Sequence, residues 1–572
     1  MATITGGELI VKCLKKEGVK RIFAIIDAFY NPVIANVGKY DIRWIGPRHE
    51  AAAVHMAEGV FKTTGEIPVV MAGAGPGTAN LLSGMICARE EGVPVVAISS
   101  QCRQEVIYPC KPGVFQGTEQ YDFFKPVTKW NAVVHSWERI PEIIQRAFRE
   151  AVSGRPGPVH VDVPYTVSYA EGEESKVRIL EPHQYRATAP EPSEKQIEEV
   201  AKLIKGAKNP LLMAGTGVLN SGGWEDFMGL VELLNCPATT TMAARSAIPN
   251  DHSNYIFGYG KGALTARTEA DVVLAVGTRL GDMDLPFKKY WGDPDKQKII
   301  QVDIDPRNIG ANWPIHMGVV GDAKAMVKAL GGKLKEMGVK PSDGKMVKQY
   351  KDMDDEWWQE QTGHIKDYAG EKIHPAHSVQ TARKVFPPDA INIGDGGNTS
   401  LFNAFFTPYT KPRTSLGLFE FGHLGIGIPY AIGAKVANPD KDVYVIVGDG
   451  AAGFNFMEMV TAVREKIKIT VMVHAEESWC MEEIGQLMEF GDPSKLVGCK
   501  QYPIRWDKVA EGLGCYSEYV DKIENLEDAI RRAKDSELPA VLCVKTDKQS
   551  NLIPPGAEQF EQVYTGVPEE QG

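Results

Sequence analysis

Apolar residues fall in short uninterrupted runs, separated by stretches in which they recur every three or four positions. Runs at 68–72, 93–98 and 158–163 make a first group, preceded by an amphipathic N-terminal helix with Ile10, Val11, Cys13 and Leu14 on its buried side. A second group lies at 210–215, 270–277 and 299–305, and a third at 390–393, 443–447, 469–473 and 540–544. Short apolar runs ending in turns, alternating with helix-like stretches, predict α/β architecture. Each domain is expected to be a mostly parallel, doubly wound sheet with helices on both faces. Composition turns to Glu, Ser, Pro and Arg at 170–195 and stays polar at 341–372, so both segments are expected to be linkers. Three domains follow, at 1–180, 190–340 and 370–560.

The charge balance narrows the partners. With 63 basic and 74 acidic residues among 572, the net charge is −11, which argues against nucleic acid or an anionic membrane surface as the main partner. No apolar stretch approaches the roughly 18 residues of a membrane span, and the N-terminus lacks a signal-peptide core and cleavage site. Nine cysteines stand singly without a CxxC pair, as expected of reduced thiols in a cytoplasmic protein acting on a small molecule.

Several turns carry chemistry. Gly448-Asp449-Gly450 directly follows the run at 443–447; a helix-like stretch at 454–466 and the run at 469–473 come next, and then His474-Ala475-Glu476-Glu477-Ser478-Trp479. Glu476 lies 27 residues after Asp449. One strand–helix–strand unit brings the ends of adjacent parallel strands together, where such sheets bind ligands. An Asp on one strand end and an oxygen ligand on the next can share a Mg²⁺ that bridges phosphates, which glycines let the backbone N–H groups approach. Gly-rich turns also follow runs at Gly73 to Asn80 and at Gly394 to Thr399, a further one spans Gly422 to Gly427, and Arg48-His49-Glu50 opens an Ala-rich stretch. Taken singly, each has a plain reading: Asp449 caps a helix, Glu50 starts a solvated one, and the glycines punctuate turns.

Together, in this order, they resemble the thiamine-diphosphate enzymes of the acetolactate synthase, pyruvate oxidase and benzaldehyde lyase group. That family's signature is GDG followed, after 25 to 30 residues, by Asn-Asn; here Ala475-Glu476 stands in the place of the pair. The resemblance implies Mg²⁺ ligands Asp449, Glu476 and the Ser478 carbonyl, with Gly448, Gly450 and Trp479 beside them at the cofactor. It makes Glu50 the glutamate that activates the aminopyrimidine ring and puts Asn80 near that ring. Gly397, Asn398 and Thr399 become diphosphate contacts, Leu424 the wedge between the two rings, and the Gly422 carbonyl the acceptor of the amino group. It also implies a homodimer or homotetramer with its sites at the subunit interface.

Local similarity points to benzaldehyde lyase: RHEAAA with AEG, residues 126–130 (PVTKW), Glu477-Ser478-Trp479 and Ile553-Pro554-Pro555. Gln116 matches an active-site glutamine of several members, or is an ordinary loop residue. At residues 25–30 the chain departs: Phe29 stands where benzaldehyde lyase has a catalytic His, beside Asp27, which is either a proton relay or a turn former. Gly215-Thr216-Gly217 and Gly277-Thr278-Arg279 leave FAD, ADP or an empty, vestigial site open in the central domain. The empty site is favoured because the Gly-x-His-Gly-Thr stretch of flavin-binding relatives is absent at 258–263; ADP would point to a CoA thioester. The expected activity is a carbon–carbon lyase or carboligase acting on a 2-hydroxy ketone or 2-hydroxyacyl substrate. The alternatives are an acetolactate-synthase-like decarboxylating transferase acting on pyruvate, and an inert paralogue serving as a binding or assembly subunit.

Overall fold

The computed structural model describes residues 3–565. Three wholly parallel sheets carry the chain, with helices packed on them. Across the first sheet the strands are Arg43–Ile45, Arg21–Ala24, Val69–Ala72, Val96–Gln101, Val159–Pro164 and Trp130–Val133. Its central strands are buried along their whole length, which is why they appear as unbroken apolar runs. The second sheet runs Ala238–Thr240, Pro210–Ala214, Val272–Val276, Lys298–Asp303 and Met317–Val320. The third runs Ser415–Leu416, Ile391–Asp395, Val443–Gly448, Thr470–His474, Ala540–Val544 and Tyr516–Val520.

In the first and third sheets, one connection leads from the first strand to the near edge and the next leads back past it. The chain thus reverses direction between Arg21–Ala24 and Val69–Ala72, and again between Ile391–Asp395 and Val443–Gly448. Ligands of open α/β sheets bind at the strand ends beside such a switch. The helices that make the two returns, Glu50–Thr64 and Gly427–Ala437, cross each other. A Cβ on Gly433 would lie 1.8 Å from the Met56 carbonyl oxygen, and one on Gly59 would lie 2.3 Å from that of Tyr430. Only glycine permits that crossing.

Both expected linkers hold structure. Glu171–Glu173 pairs antiparallel with Thr3–Thr5, tying the end of the first domain to its start. The segment expected as the second linker contains a 22-residue helix, Lys345–Lys366. It buries Val347, Tyr350 and Ile365, and its Asp354 carboxylate accepts the N–H of Phe257 at 2.8 Å and of Gly262 at 2.7 Å. Lysines and aspartates between those positions dilute the apolar stripe and disguise it as a solvated segment. The helix expected at 454–466 is two short ones, Asp449–Asn455 and Glu458–Arg464. Among the described residues no helix is long and apolar enough to cross a membrane, and all nine cysteines are free.

Candidate active site

Two half-sites lie at the two switch points. In the third sheet, Asp395 ends the strand Ile391–Asp395 and accepts N–H bonds from Gly396 at 2.7 Å, Gly425 at 3.1 Å and Gly427 at 2.7 Å. One buried carboxylate thereby binds the 394–399 turn to the 422–427 segment. Burial pushes its carboxyl up to about 6, although the three N–H groups favour the ionised form. Gly396 has φ +96°, a backbone state that glycine adopts without strain. The Asn398 amide donates to the Asn551 carbonyl at 2.7 Å, bringing the C-terminal segment to the rim.

A cavity of about 470 Å³ opens there. Its lining brings together Gly397, Asn398, Thr399, Gly422, Leu424, Gly448, Asp449, Gly450, Glu476, Ser478 and Trp479, joined by Met481 and Asn551. Asp449 accepts the Glu477 N–H at 2.6 Å and the Gly450 N–H at 2.9 Å. Thr546 donates its hydroxyl to Glu476, which is 5% exposed. Burial, then the charge of Asp449, pushes the Glu476 carboxyl well above the carboxylate range; burial raises Asp449 as well. The lysines nearby are bonded elsewhere, Lys545 to Glu477 and Lys548 to Glu483 at 2.7 Å. Two buried carboxylates without a cationic partner, ringed by oxygen donors, fit a hard divalent cation. The buried Oδ1 atoms of Asn398 and Asn551 also lack partners, as polar groups awaiting a ligand do.

Glu50, Asn80, Asp27, Phe29 and Gln116 do not line this cavity; all five sit at the strand ends of the first sheet. Glu50 opens its helix, is 8% exposed, and accepts the Asn80 amide at 3.0 Å. The turn before it is held from the third domain, where Glu458 accepts the N–H groups of Arg48 at 2.8 Å and His49 at 3.1 Å. Asp27 caps the short helix Ala28–Tyr30 by accepting the Phe29 N–H at 2.7 Å, and its carboxylate fills the space beside Gly73. Phe29 packs edge-on against Tyr165 with ring centres 5.6 Å apart. Gln116 has φ +60°, and its backbone lies against Gly75.

Sequence reasoning missed the residues that steady these loops. Gln120 accepts the Gly75 N–H at 2.7 Å and donates to Asp162 at 2.9 Å; Asp162, which Tyr108 also contacts, is pushed up to about 7 by burial. Asp395 and Glu458 were missed for the same reason: Asp395 ties in Gly425 and Gly427, and Glu458 ties in Arg48 and His49, through backbone N–H groups 30 or more residues away, which no local motif displays.

A second cavity of about 400 Å³ lies between the central and first domains, with Gly217, Gly277, Thr278, Arg279 and Asp303 on one side and Glu91, Gly92 and Arg155 on the other. Its two glycine turns touch, since a Cβ on Gly217 would lie 2.6 Å from the Gly277 Cα, and Arg279 is paired with Glu420.

Comparison with known proteins gives this arrangement its context. Residues 4–123 match the thiamine pyrophosphate enzyme N-terminal TPP binding domain, 197–330 the central domain, and 395–544 the C-terminal TPP binding domain. A probable acetolactate synthase large subunit of Methanocaldococcus jannaschii is 31% identical, covering 96% of this chain and 94% of its own. An acetolactate synthase of Mycobacterium bovis is 30% identical over 94% of this chain and 87% of its own. An acetolactate synthase large subunit of Corynebacterium glutamicum is 30% identical over 94% and 86%. These names match the transferase alternative rather than the expected closeness to benzaldehyde lyase, for which the matches give no support. The chain belongs to the thiamine pyrophosphate enzyme family.

Proposed function

We propose that this chain is a thiamine-diphosphate- and Mg²⁺-dependent transferase of the acetolactate synthase kind, which decarboxylates pyruvate or a close 2-keto acid and joins the remaining acyl unit to a second carbonyl compound. The observation that carries the reading is the buried Glu50, held by Asn80 at one switch point while Asp449 and Glu476 share a cavity at the other. The relatives' names support the direction of the chemistry. Asp449, Glu476 and the Ser478 carbonyl would hold the cation, and Gly397 to Thr399 the diphosphate. The bound cofactor supplies an electron sink for the charge left when CO₂ departs. Glu50 gives and takes the proton at the aminopyrimidine ring. Leu424, which lines the same cavity, would wedge against the rings of the cofactor. Phe29 and the loop bearing Gln116 cover the substrate side, with the Gln116 amide offering a donor to a carbonyl oxygen.

The working site is proposed to take Glu50 from one copy of the chain and Asp449 from another, as the resemblance implies; that Glu50 does not line the Asp449 cavity supports this reading. A homodimer is then the smallest active unit.

A second reading, a lyase cleaving a 2-hydroxyacyl substrate, is favoured by the Asp27–Phe29 turn, which puts an acid and an aromatic ring at the mouth of the first half-site. Assays of the purified chain with thiamine diphosphate and Mg²⁺ separate the two. CO₂ release from pyruvate with formation of acetolactate is the expected result. Cleavage of 2-hydroxyacyl-CoA without turnover of pyruvate would replace the transferase with the lyase.

A further inference from the structure

We infer that Glu476 gives this chain a divalent-cation site that fills before, and without, the diphosphate. The inference rests on the cation site proposed above and concerns the order in which that site is assembled. Gly448 and His474 are paired in register, so Asp449 and Glu476, one and two residues beyond them, emerge side by side at the ends of neighbouring strands. The third strand, paired to the second through Val544 and His474, places Thr546 to donate its hydroxyl to Glu476 and hold the carboxylate in place. The backbone N–H groups of Gly450 and Glu477 hold Asp449 in the same way. Lys545 and Lys548 form their ion pairs with Glu477 and Glu483 rather than with Asp449 or Glu476.

Two fixed, buried carboxyl groups therefore face one cavity, neither of them in an ion pair among the described residues, and once ionised they carry a combined charge of two. A divalent cation balances that charge by itself, and water can complete its near-octahedral shell. With Asn at position 476, the residue of the resembling signature, one carboxylate would remain, and the diphosphate oxygens would be needed to hold the cation. The extra carboxylate has the opposite effect on the diphosphate, whose own negative charge must enter a more negative site. The cation should accordingly bind the bare protein, with the cofactor following it.

The test is calorimetric titration of the full chain, stripped with chelator, using Mn²⁺ as probe and no thiamine diphosphate. Free Mn²⁺ is read in parallel by its paramagnetic resonance. Wild type should bind one Mn²⁺ per chain, and Glu476→Asn should bind at least about tenfold more weakly, since a charged ligand becomes neutral. Thr546→Val keeps the charge and loses only the group that holds it, so it should fall between the two. With Mn²⁺ saturating, Glu476→Asn should bind thiamine diphosphate at least as tightly as wild type. Wild type that takes up Mn²⁺ only once thiamine diphosphate is added overturns this inference and leaves the proposed function standing, as does equal Mn²⁺ affinity in wild type and Glu476→Asn. Failure to bind Mn²⁺ and thiamine diphosphate even together would remove the proposed function as well.

Discussion

The first and third sheets have the same strand order. Numbered along the chain, each runs 2-1-3-4-6-5 across the sheet. Equivalent positions can therefore be compared directly. After the first strand, one sheet has Asp27 capping a short aromatic helix; the other has Asp395 gathering three backbone N–H groups. At the start of the returning helix, one has the carboxylate of Glu50, the other Leu424 and a run of glycines. After the third strand, one has the Gly73–Gly77 turn, the other Asp449. The fold supplies two switch points of one topology, and in the proposed function the residues at their strand ends divide the work, one handling a proton and the other an anion with its cation.

The sharpest way to break this division is to remove the proton-handling group alone. Glu50→Gln keeps size and can still bond Asn80, so cofactor binding measured by calorimetry should persist while kcat falls by about 10² to 10⁴-fold, as loss of an acid–base group does. Near-normal turnover would end the assignment.

Asp395→Ala tests the other half. Three buried N–H groups would lose their acceptor and the 394–399 turn its tie to the 422–427 segment. Thiamine diphosphate affinity should fall by about tenfold or more, as loss of a charged acceptor predicts. Unchanged affinity would show that the two turns hold themselves.

Gly433→Ala probes the crossing that joins the two halves within a chain. Its Cβ would overlap the Met56 carbonyl, so the helices must part, at a cost of about 1 to 3 kcal/mol. A lowered apparent Tm in thermal unfolding is expected; an unchanged Tm would mean that the crossing is loose.

The smallest effect is expected from Phe29→His, which alters only the mouth of the first half-site. Turnover of aromatic acyloins should rise relative to pyruvate, with cofactor affinity constant, in a product assay by chromatography. A changed cofactor affinity would place Phe29 in the cofactor site instead.

What the sequence disclosed follows from where each residue sits. The strands Val443–Gly448 and Thr470–His474 are central and buried on both faces, so their apolar runs stood out, and the GDG turn with them. Edge strands did not: Ser415–Leu416 is two residues long, and the polar pair Ser517-Glu518 interrupts Tyr516–Val520, of which only Val520 is buried. The grouping of Asp449, Glu476 and Ser478 around one cavity was legible because strand, turn and spacing lie within one unit. The anchors Asp395, Glu458 and Asp162 were not, since their partners come from distant segments. The arrangement of Glu50 and Asp449 in separate half-sites was expected only through the resemblance, because no local pattern records which domain ends face each other.

The central claim is that a working site draws Glu50 and Asp449 from different chains, and mixing two inactive variants tests it most directly. Glu50→Gln and Asp449→Ala, each dead alone, are unfolded together, refolded and assayed. If sites form between copies, half of randomly paired dimers carry one intact site of two, and activity should return to about one quarter of wild type. If each site forms within one chain, every chain in the mixture still carries a lesion and activity stays at zero, which would contradict the account.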